Sequence, residues 1–281
     1  MSVAAKLTGF AATLAFLFGV GALAGGLLDP SAPGGDAEAA GHGGSMGGDV
    51  KAMAVRGLGV AENGLRVVVD DPQLRRGRTE QLRFRVVDER GRAVRDFDVE
   101  HTKRMHLIVA RRDLTGFQHL HPTMNADGTW TTPLRLSTAG SYRLFADFSH
   151  DDKATTLASD LSVNGAAELK PLPAPAPTAT SDGGYDVRLD GGAARAGQEA
   201  ELRFTVTKDG RPVQTEPYLG AGGHLVALRE GDLAFLHVHP NDDEASIGFG
   251  ATFPTTGSYR LFLQFKVGGE VQTVAFTEEV K

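Results

Sequence analysis

The stretch "MHLIVARRDLTGFQHLHP" (105–122) returns as "GHLVALREGDLAFLHVHP" (223–240). Each copy has two runs of aliphatic, aromatic and β-branched residues around a charged break holding Gly and Asp, the composition of an antiparallel hairpin. Successive side chains of a strand point to opposite faces. Leu225, Ala227, Leu236 and Val238 therefore share one face of the second copy, and Leu107, Val109 and Leu120 share it in the first, interrupted by Gln118. That face suits a sandwich core. The opposite face carries His106, His119 and His121, and in the second copy His224, His237 and His239, which are six of the nine histidines in the chain.

The hairpins belong to a longer repeat. "LRF" at 82–84 matches "LRF" at 202–204, "GRAV" at 91–94 matches "GRPV" at 210–213, and "GSYRLF" occurs at 140–145 and 257–262, in the same order as the hairpins between them. The offset drifts only from 120 to 117, which identifies a tandem duplication of a unit of about one hundred residues. Short runs rich in Val, Phe, Tyr, Leu and Thr, punctuated by Gly, Asp, Asn and Pro, predict an all-β chain of two tandem immunoglobulin-like antiparallel β-sandwiches. The sandwiches are expected over 53–165 and 183–281. A Pro/Ala-rich spacer at 166–182 separates them, and a flexible Gly/Ala-rich tether at 29–52 precedes them.

Lys6 is followed by the uncharged "LTGFAATLAFLFGVGALAGGLL" (7–28). Its 22 residues are long enough to cross a hydrocarbon core as a helix. Residues 1–28 are thus expected to be a signal anchor or signal peptide. Positive charge before the segment, with Asp29, Asp36 and Glu38 after it, predicts an N-in, C-out orientation at the cell membrane, or secretion if the segment is cleaved. Either way the bulk of the chain is expected to be extracytoplasmic.

A hairpin turning at Gly231-Asp232 as a two-residue type II′ turn would pair residues whose numbers sum to 463, placing His224 across from His239. The equivalent sum in the first copy is 227, placing His106 across from His121. Opposed Cβ atoms lie about 4.5–5.5 Å apart, so three imidazoles can converge on one ion, an arrangement suited to zinc or copper. The pattern predicts one three-histidine metal site per domain. Met105, His42 and Met46 are auxiliary candidates as soft or tether-borne ligands, although alternation aims Met105 at the core. His101 and His150 align with Leu219 and Val267 and are expected to be loop residues.

Composition removes several functions. The chain has no cysteine, so disulfides, thiolate sites and cysteine nucleophiles are excluded. A formal net charge of -6 gives no electrostatic reason to bind nucleic acid. No G-x-S-x-G, H-E-x-x-H or phosphate-loop pattern occurs, and the chain is expected not to be an enzyme.

The H-L-[IV] followed by F-x-H-x-H-P, together with the Ig-like repeats and N-terminal anchor, resembles a group of poorly characterised bacterial envelope proteins. It resembles more loosely the secreted β-sandwich copper-resistance proteins. That resemblance implies metal handling; the expected partners are a metal ion and, for delivery at the membrane, an envelope metal transporter or chaperone. His-x-His with a third His on the neighbouring strand also resembles the zinc site of α-class carbonic anhydrases, implying a zinc-dependent enzyme as one alternative. The other alternative is a non-catalytic Ig-like interaction module with structural histidines.

Overall fold

The computed structural model describes residues 55–191, 193–236, 238–241 and 247–281, without the side chain of His239. The expected membrane segment, the tether with His42 and Met46, and His237 lie outside them. Among the described residues no helix is long and apolar enough to cross a membrane.

The first sandwich is built from β1 (Ala61–Glu62), β2 (Leu65–Val69), β3 (Gln73–Leu74), β4 (Thr79–Val87), β5 (His106–Arg111), β6 (Gln118–Leu120), β7 (Thr123–Met124), β8 (Trp130–Arg135), β9 (Gly140–His150) and β10 (Lys153–Val163). One sheet has the order β1-β2-β4-β8-β7 and the other β3-β10-β9-β5-β6. The second sandwich contains β11 (Thr178–Thr180), β12 (Asp186–Asp190), β13 (Glu199–Lys208), β14 (Arg211–Pro212), β15 (His224–Arg229), β16 (Phe235–Leu236), β17 (His239–Pro240), β18 (Ile247–Thr252), β19 (Gly257–Val267) and β20 (Glu270–Val280). Its sheets run β11-β12-β13-β18-β17, with β14 on β13, and β16-β15-β19-β20. The described pairings are antiparallel apart from the parallel edge pair β3–β10. The end of the Pro/Ala-rich stretch is strand, since Thr178–Thr180 pair with Asp186–Arg188.

Alternation produces each core. Leu82, Phe84 and Val86 of β4 point inward between exposed Gln81 and Arg83, and Leu202, Phe204 and Val206 of β13 repeat the arrangement. Leu107 and Val109 join the first core and Leu225, Ala227, Leu236 and Val238 the second, as the hairpin pattern predicts. Met105 is buried in the first core. Each such side chain withdrawn from water contributes about 1.5–3 kcal/mol before entropy is counted.

The repeated "GSYRLF" has a mechanical reason. Tyr142 Oη donates to the Thr138 carbonyl at 2.8 Å and Tyr259 Oη to the Thr255 carbonyl at 3.1 Å, the tyrosine corner of Greek-key sandwiches. The glycine two residues earlier has φ +127° in both copies, a conformation open to Gly and strained for other residues.

The central strands are buried on both faces. Ile108 and Ala110 of β5, with Phe145 and Ala158, pack against Val226 and Leu228 of β15 and against Phe262. The two sandwiches therefore dock through these sheets. Phe117 stacks on Phe262 with ring centroids 4.1 Å apart.

Candidate metal centre

Histidines lie on the same docking face. The first ladder pairs Leu107 with Leu120, Ile108 with His119 and Val109 with Gln118, each summing to the expected 227. His119 therefore shares a face with Ile108 and His106, beside the second sandwich. The nearest ligand atoms of His106, His119 and His121 all lie within 4.8 Å of one another. His106 is 3 % exposed.

Two histidines arrive from outside this triad. His224 of β15 stacks on His106, with centroids 5.5 Å apart and 9° between planes, and on His119 at 4.6 Å and 25°. His101 lies in a left-handed turn with φ +45°. Its ring is 6.2 Å from that of His106 and 6.1 Å from that of His224. The expectation that His101 is a loop residue is correct for its backbone, but its ring reaches the rim of the cluster. His150 is elsewhere, its Nδ1 lying 2.8 Å from the Asp96 carbonyl.

Hydrogen bonding allows two tautomer patterns, set by which way the Gln264 amide faces. His119 Nδ1 donates to Gln264 Oε1 at 2.7 Å, while Gln264 Nε2 donates to Thr273 Oγ1 at 3.1 Å. His106 Nε2 donates to the Glu100 carbonyl at 3.1 Å. A neutral imidazole carries one N–H, so where both rings are neutral this orientation leaves His106 Nδ1 and His119 Nε2 facing each other with lone pairs at 3.0 Å. A cation between or beside them removes that repulsion. Turning the Gln264 amide over gives a second solution, in which Gln264 Nε2 donates to His119 and His119 donates to His106. In either arrangement the buried His121 Nε2 has no hydrogen-bond partner among the described residues, and an orphaned buried polar atom is costly.

The electrostatics keep these rings neutral. Burial, reinforced by His121 and His106, lowers the pKa of His119 to about 3. Burial, followed by His106 and Lys103, lowers that of His121 to about 4. Burial also holds His224 well below the ordinary value. A metal needs the neutral imidazole lone pair, and these rings are in that form at neutral pH. Asp147, opposite His106 on β9, accepts from Thr156 Oγ1 at 2.6 Å and places a carboxylate beside the cluster. A cavity of about 170 Å³ adjoins His101, His106 and His224, with Asp147 and Phe235 in its wall. A larger cleft of about 440 Å³ lies away from the histidines, lined by Asp190, Glu199, Glu201 and Arg203.

The second hairpin differs from expectation. Its ladder keeps the sum of 463 at Ala227–Leu236 and Leu228–Phe235. The connection is a longer loop, however, with Leu233 in left-handed conformation at φ +60° and Leu233 N donating to the Arg229 carbonyl at 3.0 Å. By His239 the backbone pairs with Gly250 in the other sheet. The expected opposition of His224 and His239 is corrected accordingly: the described β15–β16 ladder reaches Leu236, and from His239 the backbone pairs with the other sheet. The site of His237 and the His239 side chain fall outside the described residues.

Gln264 and Asp147 were not singled out from sequence. Both occupy the same position of the repeat, in "SYRLFADF" and "SYRLFLQF". A polar side chain in an otherwise apolar strand was the available signal.

The class of protein is thus a tandem pair of immunoglobulin-like sandwiches with a histidine cluster where they dock. The chain belongs to the family described as Domain of unknown function (DUF8832), which matches residues 60–165 and again 179–281. No curated protein matches it. Among solved structures it is similar to the Escherichia coli adhesin FdeC, at 15% identity over 79% of this chain and 65% of that one, with TM-score 0.28. It is similar to Salmonella alpha-2-macroglobulin at 12% identity, covering 81% and 15%, with TM-score 0.29. Extracellular domains 3–5 of Drosophila OTK match at 14% identity, covering 81% and 67%, with TM-score 0.23. The chain spans less than two thirds of the first two structures, and such scores carry no functional argument.

Proposed function

We propose that this protein binds copper or zinc outside the cytoplasm, through His106, His119 and His121, for buffering or delivery at the cell envelope. The observation that supports this most is the convergence of three imidazoles, one of them with a buried nitrogen that has no partner among the described residues, within the reach of one ion. Residues 7–28 would anchor or export the chain, and an envelope metal transporter or chaperone is the recipient this reading implies. The ligand chemistry suits both metals, since imidazole binds each. His237 and His239 are retained as candidates for a second site.

The alternative is an interaction module with structural histidines. The Gln264–His119 bond between the sandwiches favours it, because that bond can serve docking without a metal. Metal content of the purified full chain, after exposure to Cu²⁺ or Zn²⁺ and gel filtration, separates the readings. The metal reading requires bound metal that falls by one equivalent in His119→Ala/His121→Ala. Equal metal in wild type and variant would leave the histidines structural. Loss of a second equivalent in His237→Ala/His239→Ala would add the second hairpin.

A further inference from the structure

The cover over the triad's rings and the partner of His119 Nδ1 come from the other sandwich. His224 covers the ring faces of His106 and His119. Gln264, opposite His224 in the β15–β19 ladder, holds His119 Nδ1 and so directs Nε2 toward His106. The adjoining cavity has walls from both sandwiches: His106 and Asp147 on one side, His224, Phe235 and Leu236 on the other. An ion held by the triad therefore sits beneath a surface that belongs to a separately folded core.

A backbone strap ties the two together close by. Phe235 N of the second sandwich donates to the Arg56 carbonyl at 3.0 Å, and Ala158 N of the first donates to the Gly59 carbonyl at 2.8 Å. Arg143 Nε and Nη2 donate to the Gly57 and Leu58 carbonyls. Gly57 has φ +70°, and a Cβ there would stand 2.7 Å from Phe235 Cβ and 2.9 Å from Phe145 Cδ1. The strap lies against Phe145 and Phe235, which are part of the docked faces.

We propose that the second sandwich is the gate of the metal site on the first: docked, it retains the ion through His224 and Gln264, and parted, it releases the ion to a recipient. The proposal rests on the metal reading above. His224 and Gln264 are positioning residues in this account, and the triad alone supplies the ligands.

Release of Zn²⁺ from the loaded full chain into excess chelator, followed by stopped flow, tests the gate. His224→Ala and Gln264→Ala should keep the wild-type stoichiometry and release the ion faster, on the order of the 10–100-fold effects of outer-sphere partners on metal sites. Gln264→Glu, which still accepts from His119 Nδ1, should restore slow release relative to Gln264→Ala. Gly57→Ala, remote from the ligands, should also speed release and expose the 166–182 spacer to protease. If Gly57→Ala does not fold, Phe262→Ala, which removes the stack on Phe117, replaces it. Unchanged release in all of these variants at unchanged stoichiometry would overturn the gate while leaving metal binding intact. A wild type that binds no Zn²⁺ would instead overturn the metal reading, and the gate with it.

Discussion

In the first sandwich the hairpin ladder carries His119 opposite Ile108, whereas in the second the described ladder reaches Leu236 and His239 is paired with Gly250 in the other sheet. The same divergence appears at the hairpin tips. Arg111 and Asp113 form a pair whose side chains are 1% and 2% exposed, while Arg229 and Asp232 are 18% and 42% exposed. The first pair also holds the linker, because Arg111 Nη2 donates to the Glu168 carbonyl and Lys170 N donates to Asp113. Among the described residues the first hairpin gathers three histidines and anchors the spacer, and the second lays His224 over two of them.

The largest expected contrast is in metal binding. His119→Ala/His121→Ala should abolish the cluster's binding in a calorimetric titration, while His150→Ala, whose ring lies elsewhere, should leave it unchanged. Equal effects would dissolve the distinction between cluster and bystander histidines. Next comes the tip pair. Asp113→Ala strands a buried guanidinium and should cost about 3–5 kcal/mol in urea unfolding, against about 1 kcal/mol or less for Asp232→Ala at the more exposed pair. Similar losses would mean that burial does not separate the two copies.

Acid should then act through the first hairpin. Unfolded imidazoles protonate near 6.5, while folded His119 and His121 stay neutral down to about 3 and about 4. Protons therefore favour the unfolded chain: stability of the metal-free protein is full above pH ~6.5 and falls as pH drops toward those lower values. His119 contributes a slope of up to about 1.4 kcal/mol per pH unit, and His119→Ala should flatten the profile. A wild-type profile already flat between pH 6.5 and 4 would refute the burial of neutral rings. The smallest contrast should be none at all. Tyr142→Phe and Tyr259→Phe each remove one corner bond and should cost about 1 kcal/mol alike, since that part of the repeat did not diverge.

Much of this was legible in the residues. Alternation in "LRF" and "HLIVA" marked strands and core faces, and the register sums of 227 and 463 hold wherever the ladders run. Docking left a signal that alternation alone obscured. "HLIVA" and "HLVAL" are apolar on both faces, and Ile108, Ala110, Val226 and Leu228 had no place in a core already filled by Leu107, Val109, Leu225 and Ala227. A continuous apolar run means a strand buried on both sides. What no local pattern could show is the partner. Gln264 lies 145 residues from His119, and their meeting depends on how two folded surfaces fit. The left-handed leucines, Leu114 at φ +61°, Leu219 at φ +57° and Leu233 at φ +60°, were equally hidden, because leucine does not advertise that conformation.

The most direct measurement is X-ray absorption at the metal edge of the full chain loaded with one equivalent of Zn²⁺ or Cu²⁺. The account predicts a first shell dominated by imidazole nitrogen, three at about 2.0–2.1 Å for zinc, and loss of that signature in His119→Ala/His121→Ala. A shell of oxygen alone, or the same imidazole signature in the double variant, would contradict it.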